Sequence, residues 1–141
     1  VAYTTRAKLE TQFGAVNIEK WADLDGDGSE ATIDARITAA IAYADGEIDD
    51  RLRPSPYTVP VVLTAGTGTP PTIIDIANRL AMLWLYETRG MQEIDGDTGR
   101  PLHKMHWHRE EVERQFTAIL STKIRLDSPM SAASVPKAIT T

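Results

Sequence analysis

The stretch "DLDGDGSEATID", from Asp23 to Asp34, sets carboxylates at loop positions one, three, five and twelve, with Gly28 at position six. Oxygen donors at that spacing suit a hard cation such as calcium, and a glycine permits the sharp bend that the loop needs. Asp23, Asp25, Asp27 and Asp34 are therefore candidate calcium ligands. Three features depart from that pattern: an aspartate replaces the longer bidentate glutamate at position twelve, Glu30 stands where an apolar residue usually bridges to a second loop, and no second loop is present. The same residues also read as a turn. Asp and Gly adopt backbone conformations that other residues resist, Ser29 or Thr32 caps the next helix, and Asp34 favours that helix's dipole.

His103, His106 and His108 are all of the chain's histidines. His103 and His106 could share a helical face, but His108 would point elsewhere, which is poor geometry for zinc. Exposed imidazoles at a helix start could instead tune a subunit contact with pH. No serine or threonine sits in a nucleophile elbow, and "GTGT" and "DGDTG" lack the lysine of a phosphate loop. The expectation is that the chain is not an enzyme and carries no cofactor other than calcium in the acidic loop. A calcium-dependent binding module of the dockerin sort is the alternative reading of that loop.

These residues need elements to hold them. Residues 5–13 read as a short helix capped by Thr4 or Thr5 and stopped by Gly14, and Asn17 can cap a second short helix carrying Ile18, Trp21 and Ala22. Ile33, Ile37, Ile41, Ala44, Ile48 and Leu52 recur at spacings of four, four, three, four and four, one apolar stripe on a long helix. Pro54, Pro56 and Pro60 end it and open a Pro/Gly-rich segment read as a small hairpin or a protruding loop. From Thr72 to Gly90 the apolar positions go nearly all the way round, so this helix should be the central core element or be covered by a partner. "MQEIDGDTGRPLHK" is a turn-rich connection. Val112, Phe116, Ile119, Leu120 and Ile124 put a last helix over residues 106–126. Trp21, Trp84 and Trp107 read as core and interface anchors, without interleaved arginines.

The fold expected is all-α: a compact bundle of four to five helices over 1–126, with a long Pro/Gly-rich loop or small hairpin, and an extended tail over 127–141. The length of 141 residues suits one domain, and 42% hydrophobic with 25% charged residues is the balance of a globular chain. Without a long apolar run, membrane insertion is not expected, and without cysteine neither disulfides nor thiolate sites can form. The chain reads as intracellular and soluble. A net charge of −5 with no basic cluster argues against gripping nucleic acid.

The chain order resembles the Mu-like head-tail connector family of tailed phages. The residues that carry the resemblance are "YTTRAKLETQFG", the "DLDGDG" turn, "AYADGEIDDRLRP" and "IIDIANRLAMLWLYETRG", with "STKIRL" closing the last helix. The family's short "YPLPL" type link is here the longer "SPYTVPVVLTAGTGTPP". The resemblance implies a neck adaptor, made in the host cytoplasm and located in the virion at the head-tail interface. It would form a homo-oligomeric ring, dodecameric to match the portal protein, extend the channel through which DNA passes without specific binding, and dock the next neck or tail protein. Partner contacts would fall on the final helix and tail, at Phe116, Ile119, Ile124, Leu126, Met130, Val135, Pro136 and Ile139. Greasy helical flanks left uncovered in the single chain would drive the ring to close.

Overall fold

A computed structural model describes residues 2–89, 93–94, 101–102 and 105–130. It is an all-α structure of five helices: α1 (Arg6–Phe13), α2 (Ala15–Ala22), α3 (Glu30–Leu52), α4 (Pro71–Thr88) and α5 (His106–Leu120). Within the connection before α5, a minimal antiparallel ladder pairs β1 (Glu93–Ile94) with β2 (Pro101–Leu102).

Thr5 begins α1 by accepting a hydrogen bond from the Lys8 amide at 3.3 Å, and Gly14, at φ 91°, ends it. Gly14 also starts α2. Asn17 therefore lies inside α2 and does not cap it; its side chain donates instead to the Phe13 carbonyl at 2.8 Å, closing the end of α1. Ser29 is the N-cap residue of α3 by position, without a side-chain cap bond. Pro70 and Pro71 open α4, where a missing amide hydrogen costs nothing.

The all-round apolar pattern of α4 is explained by its place. It packs against α1, α2, α3 and α5, and buries Ile73, Ile76, Ala77, Leu80, Ala81, Met82, Leu83 and Leu85 among them. Helix α3 lies antiparallel to it, with Arg36 reaching Thr88 and Tyr43 stacked on Trp84. The stripe of α3 is buried as its spacing requires, except that Ala40 joins Ile33, Ile37, Ala44, Ile48 and Leu52 in the core while Ile41 is only partly covered. Because α4 is covered by its own chain, the uncovered apolar flanks expected of these helices are absent among the described residues. Large apolar side chains that remain exposed are scattered: Val16, Leu24, Tyr43, Trp107 and Leu120.

Helix α5 is shorter than its apolar spacing predicts. It ends at Leu120 because the Lys123 amide bonds back to the Ala118 carbonyl at 2.9 Å and the Thr122 amide to the Ile119 carbonyl at 3.2 Å. That pair of bonds is a Schellman closure, which needs a left-handed residue at its corner; Thr122 supplies it at φ 62°. Residues 123–130 then run back as an irregular strap.

Candidate docking surface at the strap

The Pro-rich segment after α3 is neither a free hairpin nor wholly protruding, because it is held from both sides. Tyr3 and Tyr57 are buried, at 1% and 5% exposure. The Tyr3 hydroxyl accepts from the Val61 amide at 2.8 Å and donates to Asp49, while the Tyr3 amide donates to Asp45 at 2.9 Å. Burial, then the hydrogen bond to Asp49, pushes the Tyr3 phenol far above its ordinary range, so it remains a donor. Burial likewise raises the Asp45 carboxyl.

On the other side, the Tyr57 hydroxyl accepts from the Leu126 amide at 2.7 Å. The Thr58 amide donates to the Pro129 carbonyl at 3.1 Å and the Thr64 amide to the Asp127 carbonyl at 3.2 Å, with an antiparallel bridge between Tyr57 and Met130. Strap and loop thus form a short extended pair at one pole of the bundle. The tip, 64–68, is exposed throughout, turned by Gly66 and Gly68 at φ 89° and 90°, and Pro54, Thr58 and Pro60 are exposed along the flank.

The expected partner contacts fall on both sides of this surface. Phe116, Ile119 and Leu126 are core residues, at 0%, 1% and 5% exposure. In the single chain they are covered by its own core. Ile124 and Met130 are partly covered and pack on the same core, leaving some surface outward. Val135, Pro136 and Ile139 lie outside the described residues.

The acidic loop is used locally. Both Asp23 carboxylate oxygens accept backbone amides, from Gly26 at 3.1 Å and Gly28 at 3.0 Å, and Asp27 accepts from Ser29 at 2.9 Å. Asp34 points to Arg6 at 3.3 Å. The structure does not gather Asp23, Asp25, Asp27 and Asp34 into one donor set, and no group of three or more metal-binding side chains occurs among the described residues. The turn reading describes the geometry. Arg6 is the centre of this region, bonded to Glu10 at 2.8 Å, Glu19 at 3.3 Å, Glu30 and Asp34. One guanidinium therefore ties α1, α2 and α3 together.

Of the histidines, His103 lies outside the described residues and His106 is exposed, paired with Glu110 at 2.8 Å. His108 Nδ1 sits 2.7 Å from an Arg79 guanidinium nitrogen, so it accepts and is neutral. Burial, then the Arg79 charge, lowers its pKa. Arg79 also binds Asp75 at 2.8 Å, and Asp75 accepts from Gln12 and Gln115, each at 3.0 Å. Burial pushes the Asp75 carboxyl up, but those three hydrogen bonds outweigh it and leave it below the usual range. This network joins α1, α4 and α5. Arginines from elsewhere in the chain do cover two tryptophans, Arg36 over Trp84 at 4.5 Å and Arg79 over Trp107 at 4.8 Å, a pairing that local sequence does not show. Trp21 meets the Tyr86 ring edge-on at 5.7 Å.

A family model described as "Bacteriophage Mu, Gp36" matches residues 3–140, nearly the whole chain. The chain belongs to the bacteriophage Mu Gp36 family. It is thus a Mu-like phage protein, and the match spans helices, loop, strap and tail together. No curated protein and no solved structure matches it. Sequence reasoning passed over the residues that organise this Gp36-family fold, namely Tyr3, Arg6, Tyr57, Asp75 and Arg79. Tyr57 carried one signal, an aromatic inside a Pro-rich segment.

Proposed function

We propose that this Gp36-family chain is a structural head-tail connector: a ring beneath the portal protein that extends the DNA channel and docks the next neck or tail component. The family match over residues 3–140 carries the reading. The proposal involves no catalytic step and no resident cofactor. The strap supports it by fixing where residue 130 leaves the domain, beside the Pro-rich loop at one pole, so that the following tail starts from a defined place. Since α4 is covered internally, ring contacts fall to smaller features, among them Tyr43, Trp107 and the strap, rather than to an open apolar flank. A net charge of −5 suits a conduit along which duplex DNA slides with little adhesion.

The test is to mix the purified chain with the portal protein of the same phage and follow the mixture by sedimentation and electron microscopy. A ring of this chain on the portal is expected. Deleting residues 131–141 should leave the helical domain folded by circular dichroism and weaken portal association at least about tenfold, a loss of about 1.4 kcal/mol. A chain that never associates with the portal, or that virion maps place away from the neck, would overturn the proposal.

A further inference from the structure

We infer that the strap, residues 123–130, exchanges between neighbouring copies: in the assembly it leaves its own Pro-rich loop and docks on the same loop, residues 57–64, of the next copy, with Thr122 as the hinge. The inference rests on the ring reading, which supplies the neighbour. Three observations carry it.

The hinge is strained. Thr122 is the one non-glycine residue with positive φ among the described residues, and a β-branched side chain there is an outlier. Glycine is usual at that corner of a Schellman closure. Next, Phe116, Leu120 and Ile124 follow one another at spacings of four, so a helix continuing through Thr122 would keep them on one side. If Thr122 returns to right-handed helical torsions, α5 extends and carries the strap away from its own domain. Finally, the docked strap is separable and imperfectly satisfied. Its attachment consists of the Leu126 amide on the Tyr57 hydroxyl, two backbone bonds from Thr58 and Thr64, the burial of Leu126, and the partial cover of Ile124 and Met130 against the core. The Ser128 hydroxyl, in a residue only 8% exposed, has no hydrogen-bond partner.

The receiving surface is self-complementary by construction, because every copy carries both the loop and the strap that fits it. Exchange therefore makes the same contacts between copies and removes the left-handed threonine, and a head-to-tail exchange of this kind closes a ring or grows a filament.

The chain has no cysteine, so a pair can be placed cleanly. Thr58 and Pro129 are both exposed and adjoin the Tyr57–Met130 bridge. In the double variant Thr58→Cys with Pro129→Cys, oxidation of the free monomer should give an intrachain bond. Oxidation of the portal-assembled fraction should give a ladder of covalent oligomers on a denaturing gel. Adding Thr122→Gly, which relieves the hinge in place, should cut the interchain fraction roughly tenfold. An assembled fraction holding only intrachain bonds would overturn the exchange while leaving the ring intact. Absence of any assembled fraction, with the variant folded by circular dichroism, would overturn the ring reading and the exchange with it.

Discussion

Replacing Arg6 with methionine keeps much of the side chain's length and apolar stem but removes the charge that four carboxylates share. The Arg6 side chain is 22% exposed, and its partners Glu10, Glu19, Glu30 and Asp34 are 25%, 48%, 69% and 63% exposed. The last three are too well solvated to count at more than about 0.3–0.5 kcal/mol each, while the better buried Glu10 bond contributes about 0.5–1 kcal/mol. The sum, about 1.5–2.5 kcal/mol, lowers the thermal midpoint by roughly 5–10 °C in a domain of this size. The four carboxylates left behind repel one another, so the loss should depend on salt. At about 0.01 M the screening length is about 30 Å and the full deficit should appear; at about 1 M it is about 3 Å and at least half should vanish. Thermal melts of Arg6→Met and the parent chain, followed by circular dichroism at both salt concentrations, make the measurement. A deficit under about 0.5 kcal/mol at low salt, or one that salt leaves unchanged, would refute the view that Arg6 staples α1, α2 and α3 by charge.

Tyr57→Phe removes the acceptor of the Leu126 amide. An unpaired buried donor costs about 1–3 kcal/mol, so hydrogen exchange at Leu126 should speed up while amides of α3 and α4 keep their protection. Phe116→Ala should cost about 3–5 kcal/mol in urea unfolding, because the ring is fully buried and lies under the Arg51 guanidinium at 4.4 Å; a loss below about 1 kcal/mol would put it back on a partner surface. The pH dependence follows from two lowered groups. His108 and Asp75 both hold fewer protons when folded than when unfolded, so each contributes stability that is present above its unfolded value, about 6.5 and about 3.9, and is lost as pH falls through its folded value. Urea midpoints from pH 8 to pH 3 should therefore decline in two windows, His108→Gln flattening the upper and Asp75→Asn the lower.

What could be read from the sequence was what repeats locally. The stripe of α3 shows because each apolar residue lands on the buried side of a 3.6-residue turn, and α4 shows as central because its neighbours surround it. The end of α5 did not show. Ile124 falls where a continuing helix would want it, and nothing in "STKIRL" announces that a threonine takes the left-handed corner. The bonds that position the strap were also hidden, since Tyr3 and Tyr57 reach backbone amides 58 and 69 residues away and no local pattern encodes such a reach. The acidic loop was legible as chemistry but ambiguous as a site: spacing placed Asp34 at position twelve, while its partner Arg6 sits 28 residues earlier.

Tyr3 and Leu126 are each tethered to the same short run, residues 57–61. Traction applied at these two points would pass through that run and the neighbouring turns of α3, and would not unzip α4 from its surroundings. The unit would then yield first at that run while its helical bundle stays shut.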